Sequence, residues 1–300
     1  MRLTVLGTSA STPSKERNLS AIMLNFEGLN YLFDCPEGTQ RQLMKAKSSY
    51  MKIHAIFLSH FHGDHILGLP GLLATMSMHQ RDYPLFVFGP KGVKEKVQKA
   101  LEISLLKVNF EIKAIEVKEG KIFEEEKFFV ECFKLNHEIP CYGFVFKEKD
   151  SLGQFQREKA LKLGIPEGPL WSQLHKGIKV KVGKKTFKPE DVIDVSKKKT
   201  GKKISFVFDT LANNSYINKI KDSDVLFHES TFLEKLKDRA KETMHSTAKD
   251  ASKIAAKAKV KKLVLFHFSP RHKDTEKFDI EAREFFGNVV AAKDLEEIEL

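Results

Sequence analysis

Ser59-His60-Phe61-His62-Gly63-Asp64-His65 follows the apolar stretch Ile53–Leu58 without a break. Three imidazoles and one carboxylate fall within six residues. Successive residues of a strand face opposite sides, so His60 and His62 can point the same way. Gly63 permits a sharp turn. Asp64 and His65 then begin the following helix and present a second set of donors. Neutral imidazole and carboxylate suit zinc, with manganese or iron less favoured. Burying such a cluster without a metal would leave costly unpaired polar groups.

Four donors exceed what one catalytic zinc with an open position requires, and a second metal calls for about three more. Polar residues at the ends of other apolar runs supply that number. His137 follows Phe133-Lys134-Leu135, Asp209 follows Ser205–Phe208, and His267 follows Leu263–Phe266. Asp209 has two oxygens and can bridge. Two metals roughly 3.5–4 Å apart would activate a water and stabilise a displaced oxygen, which is two-metal hydrolysis.

Outward from this stretch, strand-like and helix-like segments alternate. Leu3–Leu6, Ala21–Phe26, Leu29–Phe33, Ile53–Leu58 and Leu85–Phe88 read as strands. Thr39–Ala46 and Gly92–Leu106 read as helices, and Asp64–His79 as a helix broken at Pro70-Gly71. Strands at Phe110–Val117, Phe128–Leu135 and Tyr142–Phe146 follow. From Lys147 to Lys203 the pattern breaks down, as in a functional insertion or a mobile arm. Strands at Ile204–Phe208, Val225–His228, Leu263–Phe268 and Asn288–Val290 and helices at Thr247–Lys259 and Thr275–Phe286 complete the chain. Strands that end in polar residues and alternate with helices indicate a layered α/β fold. The expected division is a catalytic domain from 1–146 and 204–300, with 147–203 as a basic inserted arm.

The 300 residues carry 51 basic and 40 acidic side chains, a net charge of +11. Between Lys176 and Lys203 lie eleven lysines and three acids, a net of +8; the remainder, with 40 bases and 37 acids, is nearly neutral. Charge alone favours a solvated lysine-rich loop. Its position inside the irregular arm reverses that preference and points to a polyanionic partner. Composition, with 41% hydrophobic and 30% charged residues, excludes collagen, coiled coil and disorder. No apolar run reaches the roughly 18 residues of a spanning helix, and Met1–Thr8 reads as a strand rather than a signal peptide. A cytoplasmic location without membrane association is the expectation. Cys35, Cys132 and Cys141 form no C-x-x-C pair and are expected as buried free thiols.

His60-Phe61-His62-Gly63-Asp64-His65 resembles the H-x-H-x-D-H signature of the metallo-β-lactamase superfamily. Further stretches resemble one of its families, the ribonuclease Z (tRNase Z) tRNA 3′-processing endonucleases, in their short form. Pro13–Asn18 looks like its P-x-K-x-R-N loop, and Asp34–Gln42 is similar to its segment after the third strand. His137–Phe144 matches H-x-x-P-x-x-G-[YF], and His245-Ser246-Thr247 matches H-S-T. His228-Glu229-Ser230-Thr231 resembles H-E-A-T, with Ser230 in place of Ala. Gly164-Ile165-Pro166-Glu167-Gly168-Pro169-Leu170 resembles the glycine–proline exosite.

The resemblance implies a four-layer αββα sandwich with two zinc ions per subunit, manganese being an alternative. His60, His62 and His137 would hold one zinc, Asp64, His65 and His267 the other, and Asp209 would bridge. The implied reaction is zinc-dependent endonucleolytic cleavage of precursor tRNA after the discriminator nucleotide. It leaves a 3′-hydroxyl on the tRNA and a 5′-phosphate on the trailer. Asp64 would orient or deprotonate the nucleophile, His245 would protonate the leaving oxygen, and Glu229 would orient His245. Lys15 and Arg17 would hold phosphates, and Asn18 would fix the loop or touch RNA. The arm, through Gly164, Pro166, Gly168, Pro169, Lys176, Lys179 and Lys181, would bind the tRNA elbow. Trp171 and Leu170 would fill the arm's small core. The family is homodimeric, with the arm of one subunit reaching tRNA cut by the other. Two rivals remain: a small-molecule hydrolase of the same superfamily, and a non-catalytic RNA-binding module with structural zinc. The Pro13–Asn18 loop and the basic arm count against the first, and the lack of cysteine ligands counts against the second.

Overall fold

The computed structural model describes residues 1–103 and 107–300. The chain divides into two compact units: Met1–Glu124, Val130–Phe146 and Lys203–Leu300 form one, and Glu125–Phe129 with Lys147–Lys202 form the other.

The first unit contains two seven-stranded sheets. In the first sheet the strands run, edge to edge, Glu297–Glu299, Arg2–Gly7, Ala21–Phe26, Leu29–Phe33, Ile53–Phe57, Leu85–Gly89 and Ile112–Glu116. Pairing is antiparallel up to Leu29–Phe33 and parallel from there on. The switch follows from the connections. A short turn at Glu27-Gly28 gives an antiparallel hairpin, whereas parallel neighbours need a crossover. The second sheet runs Val289–Ala291, Leu263–Phe266, Val225–Glu229, Lys203–Val207, Cys141–Glu148, Phe128–Leu135 and Gly120–Glu124.

The two-residue period of a strand sorts the side chains into layers. Leu32, Ile56 and Val87 pack outward against Leu43, Leu72, Met76 and Val97 of helices Thr39–Lys45, Leu69–Met78 and Val93–Ile103. Their neighbours Phe33, Phe57 and Phe88 face the other way, paired in register across three parallel strands. These rings stack with centroids 5.1 and 5.0 Å apart, and Phe33 meets Phe206 of the second sheet at 3.9 Å. On the far side, Val207, Leu226 and Leu265 pack against Ile254, Ala255 and Phe278 of helices Ala248–Ala258 and Glu276–Arg283. The order of layers is therefore helix, sheet, sheet, helix, as expected from the sequence.

The broken helix is corrected. Its parts are Gly63–Ile66 and Leu69–Met78, so the break falls at Leu67-Gly68 rather than at Pro70-Gly71. Pro70 sits in the first helical turn, where its missing N–H costs nothing. Gly68 approaches Pro36 so closely that a Cβ would lie 1.8 Å from the Pro36 carbonyl oxygen. The helix read as Gly92–Leu106 is Val93–Ile103 as far as described; residues 104–106 lie outside the described residues. Short elements at Gly120–Glu124, Ile217–Ile220, Lys237–Glu242 and Glu297–Glu299 escaped the periodicity reading. All three cysteines are buried and free. Among the described residues, no helix is long and apolar enough to cross a membrane.

The second unit has its own small core of Ala160, Ile165, Trp171, Leu174, Val180, Phe187, Val192 and Ile193, with Leu170 packed against it. Its strands are only two or three residues long: Gln154–Phe155 pairs with Ile193–Asp194, and Val180–Val182 with Lys185–Phe187. Such short strands cannot display a periodicity, which is why the stretch reads as irregular. The Trp171 indole donates to the Ile165 carbonyl at 3.0 Å, tying helix Pro169–His175 to the loop before it.

Phe33→Ala, which removes the ring joining both sheets, is expected to destabilise the first unit by about 3–5 kcal/mol. Chemical denaturation of the two proteins measures this directly.

Candidate metal centre

The donors predicted from the sequence converge in the first unit. The ligand atoms of His60, His62, His137 and Asp209 lie within 4.8 Å of one another, as do those of Asp64, His65 and His267. Asp209 stands between the two groups. Its Oδ2 lies 3.6 Å from His60 Nε2 and 3.4 Å from His65 Nε2, and its Oδ1 lies 3.2 Å from His267 Nε2. His62 Nδ1 is 3.1 Å from His60 Nε2 and 3.3 Å from His137 Nε2. Asp64 Oδ2 is 3.6 Å from His65 Nε2 and 3.7 Å from His267 Nε2.

Hydrogen bonds fix which imidazole nitrogen faces this space. His65 Nδ1 donates to Asp34 Oδ2 at 2.7 Å. The Ser59 hydroxyl donates to the same oxygen at 2.7 Å and accepts from His60 Nδ1 at 2.9 Å. His137 Nδ1 donates to the Met244 carbonyl at 3.3 Å. His267 Nδ1 donates at 3.0 Å to the Thr231 hydroxyl, which donates to Glu229 Oε2 at 2.8 Å. In all four residues Nδ1 is engaged by a neighbouring oxygen and Nε2 faces the other donors, the orientation that such outer partners impose on metal-binding histidines.

The donors fit a metal ion. His65 Nε2, His267 Nε2 and Asp209 Oδ1 are buried and have no hydrogen-bond partner. Buried polar atoms in that condition are rare and costly. Burial disfavours charge on His65, yet the carboxylates of Asp209 and Asp34 drive its pKa well above the ordinary value. Burial instead pushes the pKa of His60 and of His137 down, so the carboxylates favour positive charge at His65 in particular. Asp34 and His267 also hold left-handed backbone conformations, each with φ of 61°. Non-glycine residues adopt these at a cost of order 1–3 kcal/mol, usually at functional sites.

Beside the donors sits a second buried constellation. Glu229 accepts from the backbone N–H groups of Thr210, Thr231 and Ser246, from the Thr231 hydroxyl, and from His245 Nδ1 at 3.0 Å. Burial lowers the His245 pKa, but the Glu229 carboxylate outweighs it and pushes the value up to about 9. His245 is therefore a protonated imidazole at neutral pH, with Nε2 left as the free donor. It does not cap the next helix; Thr247 does, through a reciprocal pairing with Asp250. A cleft of ≈ 520 Å³ gives access to the site, with His62, Asp64, His137, Asp209 and His245 in its wall beside Ser11 and Pro13.

The remaining candidates have mixed placements. Lys15 is exposed on the loop after the first strand. Arg17 is partly committed, its Nη2 donating to the carbonyls of His272 at 2.8 Å and Ser269 at 3.4 Å. Asn18 ties its loop to the Glu37 carbonyl at 3.1 Å. Gly164, Pro166, Gly168, Pro169, Lys179 and Lys181 are exposed in the second unit, where Lys176 pairs with Glu126 at 3.3 Å. Asp34, Ser59 and Thr231 received no role in the sequence reading. A signal for Asp34 existed, because it is a polar residue ending an apolar strand, the rule that found His137, Asp209 and His267.

A family model described as Anti-Pycsar protein Apyc1 matches residues 1–158. That span includes His60–His65 and His137 but stops before Asp209, Glu229, His245 and His267. Ribonuclease Z of Nitrosopumilus maritimus is 43% identical over 300 residues, covering all of both chains. The chain belongs to the ribonuclease Z family. It is accordingly an endoribonuclease, a hydrolase. The crystal structure of human tRNase Z, short form, superposes with a TM-score of 0.73 at 30% identity, covering 100% of this chain and 99% of that one. The metallo-β-lactamase fold protein YhfI of Bacillus subtilis, 18% identical with a TM-score of 0.71, shares the fold over 99% of this chain and 98% of its own.

Asp34→Ala removes the acceptor that orients both His65 and, through Ser59, His60. Metal affinity is expected to fall about 10–100-fold, as read by competition with a chelator of known affinity.

Proposed function

We propose that this ribonuclease Z family member is a zinc-dependent endonuclease that removes the 3′ trailer from precursor tRNA. It would cut after the discriminator nucleotide, leaving a 3′-hydroxyl on the tRNA and a 5′-phosphate on the trailer. The observation that carries the reading is the pairing of two donor groups, joined at Asp209, with a protonated His245 in the same cleft. His60, His62 and His137 would hold one zinc, and Asp64, His65 and His267 the other, with Asp209 between them; manganese is an alternative occupant. Zinc there would neutralise phosphate charge and lower the pKa of water toward ~7.

The chain's own residues divide the remaining work. Asp64 accepts the Ser11 N–H at 2.7 Å through Oδ2, which fixes the carboxylate in the cleft wall. In this reading it orients the attacking water and takes its proton. Water attack forms the new P–O bond as the bond to the 3′-oxygen breaks, and His245 donates its proton to that oxygen. A positioned general acid contributes roughly 10²–10⁴-fold. Glu229 keeps the imidazole charged and directed. Lys15 and Arg17 serve phosphates, contacts that position the substrate without reading its sequence.

We assign the second unit to tRNA binding, through the Gly164–Pro169 loop and the lysines that follow. RNA helices are recognised largely by shape and backbone, which suits an enzyme acting on many tRNA sequences. A homodimer and a cytoplasmic setting belong to the same proposal. A structural zinc module is disfavoured by the donor set, since structural sites are usually closed and cysteine-rich, whereas all three cysteines here are free.

Incubation with zinc and a 3′-extended precursor tRNA should give a single cut directly after the discriminator nucleotide. Asp64→Ala should abolish that cut while tRNA binding persists; retained turnover would remove Asp64 from the mechanism. Deleting Lys149–Lys202 should weaken tRNA binding yet spare hydrolysis of bis(p-nitrophenyl) phosphate. Binding by the intact chain should fall steeply with salt as counterions are released. Equal tRNA affinity in the deletion variant would end the assignment of the second unit.

A further inference from the structure

The segment from Thr8 to Asn18 leaves the first strand, lines the cleft with Ser11 and Pro13, and returns through Lys15 and Arg17. Its conformation depends on partners elsewhere in the first unit. At its middle, the Ser11 N–H rests on Asp64. Near its end, Arg17 rests on the carbonyls of Ser269 and His272. Its two ends share a third anchor, Asp294, in the turn before the closing strand. Asp294 Oδ1 accepts from the Thr8 hydroxyl at 2.8 Å, and Oδ2 accepts from the Asn18 N–H at 2.7 Å and from Gln42 Nε2 at 3.1 Å.

Asp294 cannot easily follow a moving loop, because its turn is laced to the first strand. The Leu295 N–H donates to the Val5 carbonyl at 2.6 Å, and the Val5 N–H donates to the Glu296 carbonyl at 2.9 Å. Leu295 itself is left-handed, with φ of 66°. Thr8 is fully buried and Gln42 nearly so. Hydrogen bonds to an ionised acceptor in such surroundings are among the strong ones. A carboxylate close to a loop that faces phosphates would repel them if its charge were free. Here both oxygens are turned inward onto the two ends of the loop and the adjoining helix.

We propose that Asp294 is a positioning residue that holds the Thr8–Asn18 loop in the conformation presenting Lys15 and Arg17 to RNA phosphates. The inference rests on the reading of that loop as an RNA contact. Asp294 does not touch the substrate; it sets the affinity of residues that do.

Steady-state kinetics of D294A and D294N test this on 3′-extended precursor tRNA and on bis(p-nitrophenyl) phosphate. For D294A, KM for the precursor should rise about tenfold, the scale of losing hydrogen bonds to a charged group, while kcat and small-diester hydrolysis stay within about threefold. D294N keeps one acceptor oxygen and should fall between. Hydrogen exchange at residues 14–18 should quicken in D294A at unchanged zinc content, while the Ser11 N–H, held by Asp64, stays protected. An unchanged precursor KM despite faster exchange overturns the inference, as does an equal loss on both substrates. K15A separates the two readings. If K15A raises KM and D294A does not, the Asp294 role fails; if neither raises it, the loop is not an RNA contact and both fail.

Discussion

Asp34 lies fully buried at the end of the strand Leu29–Phe33, with both oxygens occupied. One accepts the Ser59 N–H at 2.7 Å; the other accepts the Ser59 hydroxyl and His65 Nδ1, each at 2.7 Å. A carboxylate in that position survives burial only because its acceptor sites are filled. The same filling sets the protonation pattern of the site. His65 is oriented directly and His60 through Ser59, one histidine from each donor group. Both Nε2 atoms then face Asp209. The spacing of the metal centre thus depends on a residue that does not face it.

The sandwich explains how donors scattered between residues 60 and 267 meet. Ile53–Phe57, Leu263–Phe266 and the stretch ending at Val207 are buried apolar strands, and the donors follow directly at their ends. Aromatic rings from both sheets interlock between them, and a close-packed interior of that kind transmits displacement poorly tolerated elsewhere. The strand ends are therefore held by the least compressible part of the unit. The strain accepted at Asp34 and His267 is sustainable for the same reason, since backbone outliers persist only where the surroundings over-determine them.

Charge is distributed along the same division of labour. The unit that carries the donor groups buries a few charged side chains, Asp34, Arg81, Asp209 and Glu229, while most of its other charged residues are exposed. The lysine-rich stretch belongs to the other unit, whose core is small and whose lysines lie at the surface. Trp171 is the residue around which that core forms. The tryptophan ring is therefore committed to folding that unit, while lysines such as Lys179 and Lys181 lie at its surface.

His60, His62, Asp64 and His65 were legible because they are consecutive and follow an apolar strand. His137, Asp209 and His267 were legible because each ends a buried strand, a rule that should also have reached Asp34. The break at Gly68 was not legible, since it arises from the approach of Pro36, a residue remote in the chain. The roles of Ser59, Thr231 and Asp294 likewise exist only once separate segments meet. Sequence by itself determined the donor types, the strand periodicity and the location of the charge, because these are properties of neighbouring residues. Tertiary structure alone decided which nitrogen of each histidine faces the cleft, that Glu229 keeps His245 protonated, and that Asp294 closes the loop. Apart from the contact between the neighbours Ser59 and His60, those outcomes depend on hydrogen bonds between residues tens to hundreds of positions apart, and no local pattern encodes them.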